Sequence, residues 1–414
     1  MRWIATAALL CAALPTGAQA GRVVRITIDN AAIRSGPSDT YDRVAVLPAG
    51  LKLPVISREG GWYRVALGEL LQPYVHSSIV TLLPEGAAPS QGRVTDLSTG
   101  GFPKGTRVTL SLTAPVPYRI IQRLRPAALV LELFNCRLAQ YGVRQRAGDD
   151  LVLAIEQVQL SANTTQITFH LPQKQQTGYE ARFEGDALIL DIRRPYQTGE
   201  LRGKLIGLDP GHGGADPGAC GETGLKEKNA DLDIALRLKP LLEQAGAQVC
   251  LTRQTDVNLC APGDPLAVQL HARRTLTKRA GCDLFLSVHN NDIGDGGDRH
   301  YAYGTETYYW TPMSVLPARC VQKAVCAALG TNFRFTSWRP FYVLRETDCP
   351  RLLVECAYVS HPKEEAELKS ADFRQRAAQG IFAGLQEFFG LTATTDGLEP
   401  EELTPSIGTG VPPG

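Results

Sequence analysis

Two histidines and two glutamates in the second half of the chain stand where short apolar runs stop or a helical pattern starts. Leu205-Ile206-Gly207-Leu208 runs into Asp209-Pro210-Gly211-His212-Gly213-Gly214. Leu284-Phe285-Leu286-Ser287-Val288 runs into His289-Asn290-Asn291, and Arg351-Leu352-Leu353-Val354 ends at Glu355. Glu227 sits in Lys226-Glu227-Lys228-Asn229-Ala230-Asp231-Leu232, a first helical turn, where a carboxylate suits the positive end of the helix dipole. In open α/β sheets, residues at the carboxyl ends of strands gather at one crevice. A catalytic zinc takes three ligands from His and Asp/Glu and keeps one position for water, whose pKa falls to about 7. His212, Glu227 and His289 supply such a His₂Glu set. Glu355 remains to take the water's proton and hand it on, and burial at the end of an apolar strand raises a carboxyl pKa toward that task. A lone His after a strand, or a lone Glu opening a helix, is more often structural, so the argument comes from the four together. His76, His170, His271, His300 and His361 lack such company.

These four residues need a scaffold of alternating strands and helices, and the pattern from Lys204 onward supplies it. Leu232, Ala235, Leu238, Leu242 and Ala245 recur at helical spacing and stop at Gly246. Val249-Cys250-Leu251, Tyr308-Tyr309, Phe341-Tyr342-Val343-Leu344 and Leu352-Leu353-Val354 read as further strands. Ala378, Ile381, Phe382, Leu385, Phe388 and Phe389 form the stripe of a closing helix. The expected fold is an α/β domain over 203–390, with a mostly parallel sheet flanked by helices.

The rest of the 414 residues is too long for one core and differs in texture. Residues 1–20 combine Arg2, an apolar run from Trp3 to Leu14 and Ala18-Gln19-Ala20, the pattern of a cleaved secretory signal peptide. Residues 21–84 are short β runs broken by turns, which suggests a small barrel. Residues 91–198 carry more strand signals, among them Leu129 to Phe134, Leu151 to Ile155 and Ala187 to Ile192, and read as an all-β sandwich. Residues 391–414 are a Thr-, Pro-, Gly- and acid-rich tail expected to be disordered. Lys+Arg and Asp+Glu number 43 and 42, which argues against holding nucleic acid through bulk charge. No apolar run after the leader is long enough to span a bilayer. Export to the periplasm or beyond makes some cysteine pairing expected. Cys11 lies in the leader and Cys136 alone precedes residue 200, so any pairs belong to the α/β domain, with connectivity open.

Two resemblances sharpen these expectations. Ala32-Ile33-Arg34-Ser35-Gly36-Pro37-Ser38, Leu47-Pro48-Ala49-Gly50 and Gly61-Trp62-Tyr63-Arg64-Val65 resemble a bacterial SH3-type domain, with Pro73-Tyr74-Val75 in place of its usual Gly-Trp-Val ending. The strand pattern of 91–198 is similar to the β domains that localise wall amidases. The run Leu208 to Ala219, then Lys226-Glu227-Lys228-Asn229, Leu251-Thr252-Arg253, Asp283 to Asn291, Gly304 to Tyr309 and Leu353-Val354-Glu355 resembles the zinc-dependent N-acetylmuramoyl-L-alanine amidases of bacterial cell-wall turnover.

That resemblance implies Zn²⁺ bound by His212, Glu227 and His289, Glu355 as the catalytic glutamate and Arg273 as a structural arginine. It implies peptidoglycan or muropeptides as substrate, with the two β domains as wall-targeting modules. Asn290 stands where Ala is usual and Arg351 where a small residue is usual. Some relatives insert a long helix that covers the zinc. Here about thirty residues separate Tyr309 from Phe341, room for one ordinary helix, so no occluding lid is expected. A zinc carboxypeptidase acting on stem peptides, or a non-enzymatic wall-binding protein, are the rival expectations.

Overall fold

A computed structural model describes residues 21–391, apart from positions 30, 39–40, 42, 70, 140–141, 145–150, 173–174, 197–198, 262 and 295. The leader and the tail therefore lie outside the described residues.

Among the described residues of 21–82, seven short strands surround Val24, Ile26, Ile33, Leu47, Leu53, Val55, Val65 and Val75. Tyr63 is buried in this core, while Trp62 is half-exposed and meets the His76 ring edge-on. Among the described residues these strands pair in the order Val80–Leu82, Val23–Ile26, Lys52–Glu59, Trp62–Val65, Tyr74–His76, Ala31–Arg34 and Arg43–Leu47. Val80–Leu82 pairs only with Val23–Ile26, and at the other end Val46 pairs with Tyr118 of the next unit. That unit is a sandwich. One sheet carries Tyr118–Leu124, Ala127–Phe134, Ala154–Ser161 and Thr164–His170. The other carries Gly92–Phe102, Gly105–Leu112, Tyr179–Glu184 and Ala187–Arg193. Alternate residues such as Val108, Leu110, Leu129, Leu131, Ile167 and Leu190 fill the space between them. Leu151 and Val152 are buried there but precede the strand, which starts at Ala154.

The elements of the last unit are β1 (Leu205–Pro210), α1 (Glu227–Gln244), β2 (Gln248–Leu251), α2 (Leu266–Ala280), β3 (Leu284–Asn291), β4 (Thr305–Tyr309), α3 (Val315–Leu329), β5 (Phe333–Trp338), β6 (Arg351–Tyr358), α4 (Pro362–Leu368) and α5 (Ala371–Leu391). The sheet order is β2-β1-β3-β6-β4-β5, parallel except where β4 meets β6. Its strands are apolar on both faces because helices cover both. α1, α3 and α5 bury Ile234, Leu238, Val321, Val325, Ile381, Leu385 and Phe388 on one face. α2 and the turn at Tyr342–Leu344 cover the other. Each such large apolar side chain contributes about 1.5–3 kcal/mol on burial.

Three expectations fail here. Phe341–Leu344 is not a strand: Tyr342–Leu344 is a 3₁₀ turn that buries Val343 and Leu344. The edge strand is Phe333–Trp338, partly exposed along its length, in which Arg334, Thr336 and Ser337 interrupt the aromatic residues. Glu355 also does not end its strand, because β6 runs on to Tyr358. All nine described cysteines are free thiols. The single helix between β4 and β5 is α3, packed on α5 and the sheet.

The sandwich docks on the end of the sheet where β3 and β6 begin. Arg193 Nη1 donates to the Cys282 carbonyl at 2.8 Å and Tyr196 Oη to that of Asp283 at 2.7 Å. Tyr179 N and Thr347 exchange two further bonds at 2.7 and 2.8 Å.

Candidate metal centre

The loop after β1 brings His212 into place through a tight turn. His212 has φ 54°, in the left-handed region that non-glycine residues rarely enter. A Cβ on Gly211 would stand 2.3 Å from the His289 ring, and one on Gly218 2.5 Å from Glu227 Oε2. Glycine is required at both because the loop runs against the side chains it serves. Two arginines hold the loop from outside. Arg273 Nη1 donates to Asp209 Oδ1 at 2.7 Å and to the Pro210 carbonyl at 2.6 Å, and Arg273 Nη2 donates to the His212 carbonyl. Arg253 Nη2 donates to the Gly211 carbonyl at 2.6 Å. Asp209 is buried and also accepts from Thr252 Oγ1 at 2.6 Å and Ser287 Oγ at 2.8 Å.

Three predicted residues converge. His212 Nε2 lies 3.0 Å from Glu227 Oε2, and His289 Nδ1 lies 2.9 Å from Glu227 Oε1. The imidazole rings stand edge to face, centroids 4.9 Å apart. Glu227, the first residue of α1, also accepts from Ala219 N at 2.8 Å and Asn290 N at 3.2 Å. Burial alone would raise its pKa, but the two histidines outweigh that and hold it well below the usual carboxylate range. His212 moves the other way. Burial lowers its pKa, and Glu227 and Asp216 more than offset this. Asp216 Oδ2 lies 2.9 Å from His212 Nδ1, which orients the ring and leaves Nε2 for the centre.

These donors fit a metal ion. Ligand atoms of His212, Glu227, Asp231 and His289 all lie within 4.8 Å of one another. Zinc bonds of about 2.0–2.2 Å place tetrahedral ligand atoms about 3.3 Å apart, close to the spans here. Asp231, one helical turn after Glu227, went unnoticed in the sequence. It is fully buried and accepts from Asn290 Nδ2 at 2.8 Å, while its Oδ2 has no protein partner. Burial first, and then the Glu227 charge, raise its pKa well above normal.

Glu355 is beside this group. It pairs in register with His289 of β3 on one side and Glu306 of β4 on the other. It is 9% exposed, and its Oε2 lacks a protein partner. Burial, followed by the charges of Glu227 and Glu306, raises its pKa well above the carboxylate range. Glu306 is itself fixed by Arg334 Nε at 2.6 Å, Tyr358 Oη at 2.6 Å, Asn291 Nδ2 at 2.9 Å and Tyr308 Oη. The His212 and His289 side chains keep 24% and 18% of their surface exposed, so the centre is reachable from solvent. His76, His170, His271, His300 and His361 lie outside this cluster.

The chain matches the family model of N-acetylmuramoyl-L-alanine amidase over residues 206–387. It matches a bacterial SH3 domain over 29–80 and an AMIN domain over 99–192. It is 34% identical over 197 residues to the sporulation-specific N-acetylmuramoyl-L-alanine amidase of Bacillus subtilis, covering 46% of this chain and 70% of that protein. It is 26% identical over 377 residues to the N-acetylmuramoyl-L-alanine amidase AmiC of Escherichia coli O6:H1, covering 70% and 88%. With the N-acetylmuramoyl-L-alanine amidase LytC of B. subtilis it shares 35% identity over 191 residues, covering 45% of this chain and 36% of LytC's length.

Proposed function

The chain belongs to the N-acetylmuramoyl-L-alanine amidase family, and from that premise we propose that it hydrolyses the amide bond between N-acetylmuramic acid and the L-alanine that begins the stem peptide of peptidoglycan. The observation that carries this is the convergence of His212, Glu227 and His289 with a buried carboxyl, Glu355, in register beside them.

His212 Nε2, Glu227 and His289 Nδ1 would hold zinc, which when bound acidifies a water and polarises the amide carbonyl. Glu355 accepts the attacking water's proton and returns it to the departing amine of L-alanine. Its raised pKa suits both transfers, because a group that binds a proton too weakly cannot deliver it to an amine. Asp216 keeps the His212 ring in one orientation, and the Arg253–Arg273 clamp keeps the loop from following the substrate. Asp231, held by Asn290, stands behind Glu227.

The two β-rich units would hold the enzyme on the wall, with peptidoglycan as the partner and no nucleic acid. The leader would deliver the protein to the periplasm or outside the cell. Among the described residues no helix is long and apolar enough to cross a membrane. With α3 packed on α5, no helix among the described residues lies over the centre as a lid, and the enzyme would work without an added activator.

The test is mass spectrometry of purified muropeptides after incubation, with and without chelator, beside Glu355→Gln. Free peptide beginning at L-alanine, lost with chelator and with the substitution, is expected. Shortened peptides still joined to muramic acid would make the protein a peptidase instead. Intact substrate from folded, zinc-loaded protein would leave only a binding role or an enzyme awaiting an activator.

A further inference from the structure

Gly207, in the middle of β1, leaves a space that two cysteines share. It pairs in register with Cys250 on β2 and with Phe285 on β3, so all three face the same side of the sheet. Cys282 follows the left-handed Gly281 that ends α2, and its Sγ lies 2.9 Å from where a Gly207 Cβ would stand. Any larger residue at 207 would push that thiol away. Cys250 packs against the small cluster that contains Cys282, Phe285 and Cys349. The two side chains act on each other: Cys282 lowers the Cys250 pKa, and Cys250, followed by burial, raises that of Cys282. Cys250 is partly exposed and Cys282 buried. An accessible thiol with a lowered pKa against a buried one is the arrangement of an attacking and a resolving cysteine.

We propose that Cys250 and Cys282 are a disulfide-forming pair whose bond staples the segment that clamps the metal loop. The chain between them contains both Arg253 and Arg273, which bind the carbonyls of Pro210, Gly211 and His212. A bond at its two ends ties the clamp to its own base. The oxidant is a small disulfide RSSR, such as oxidised glutathione. The Cys250 thiolate attacks one sulfur of RSSR, the S–S bond breaks, and RS⁻ leaves and takes up a proton. The Cys282 thiolate then attacks the Cys250 sulfur of the mixed disulfide and expels the second RS⁻, which is protonated in turn. Two protein thiols lose two electrons and two protons, and RSSR becomes two RSH. The other described cysteines have no equivalent arrangement over a glycine. Cys349 is near enough for Cys282 to feel its charge, but it is wholly buried and so closed to the oxidant.

The experiment treats the folded, zinc-loaded full chain with oxidised glutathione, blocks remaining thiols and maps peptides by mass spectrometry, with melting curves in parallel. The expected result is one linked pair, Cys250 with Cys282, and a mass loss of about 2 Da. Closing a loop of this length is expected to raise Tm by about 5–10 °C, reversed by a reductant. Cys250→Ser and, separately, Cys282→Ala should melt near the reduced wild type and show no rise with oxidant. A link from Cys282 to Cys349, glutathione adducts at Cys250 without a linked product, or a linked pair with unchanged Tm would each overturn the proposal. Should Cys282→Ala fail to fold, the map of the wild type and the Cys250→Ser melt decide it alone.

Discussion

Glu306 faces Glu355 directly across the one antiparallel junction of the catalytic sheet. Two carboxyl groups side by side inside a protein cannot both ionise freely. Glu306 is supplied with a cation, Arg334, and with hydroxyl donors, whereas Glu355 Oε2 lacks a protein partner, and burial with the charges of Glu227 and Glu306 raises the Glu355 pKa. Glu306→Gln removes the like charge and lowers the Glu355 pKa. The acid limb of kcat against pH should therefore move to lower pH, by less than about one unit because burial and Glu227 act more strongly. A limb that stays in place would show that Glu306 serves only to pack Tyr308 and Tyr358.

Glu355→Gln should lower kcat about 10²–10⁴-fold while zinc content is unchanged, measured by metal analysis beside turnover. Its effect on stability should have the opposite sign. A carboxyl whose folded pKa is raised contributes stability below its unfolded value, and loses it as pH rises toward the folded value. At pH 7 the chelator-treated variant should thus melt above the wild type, and the gap should narrow as pH falls toward about 4. Equal melting points across that range would mean that Glu355 is not strained by burial.

Asp216→Asn keeps the shape next to His212 Nδ1 and removes the charge. Zinc affinity should fall about 10–100-fold, read by competition with a chromophoric chelator. An unchanged affinity would make Asp216 a loop residue, tied only to Gly218 N at 3.0 Å.

Arg273→Ala leaves Asp209 buried without its cation and frees two carbonyls of the metal loop. Urea denaturation should show a loss of about 3–5 kcal/mol. Arg273→Lys should recover only part of this, because a single ammonium cannot match the guanidinium fork. Full recovery by lysine would reduce the clamp to a charge effect.

The sequence exposed the centre to the extent that its residues mark strand ends and a helix start. His212, Glu227, His289 and Glu355 each follow an apolar run or open a helical pattern, and the structure brings all four to one place. Asp231 and Glu306 were hidden for a different reason. Asp231 lies in a helix that looks amphipathic, and only the approach of Asn290 shows that it faces inward. Glu306 alternates with Thr305 and Thr307 like a solvent-facing residue, yet is covered by Arg334 from the next strand. Phe341–Leu344 was read in place of Phe333–Trp338 because the edge strand's aromatic residues are separated by Arg334, Thr336 and Ser337, whereas a buried turn can hold an unbroken apolar run. Contacts between units, such as Val46 with Tyr118, have no local sequence signal.

The docking of the sandwich has a practical consequence for anyone who trims the gene. Lys104, Arg193 and Tyr196 satisfy the carbonyls of Gly281, Cys282 and Asp283, and Gln122 accepts from Met313 N. A fragment beginning near Lys204 would present those groups, together with the aromatic surface of Phe388 and Phe389 under Tyr196, to water. It would be a protein with a wounded flank, and its solubility and turnover would report on that wound as much as on the loss of a wall anchor.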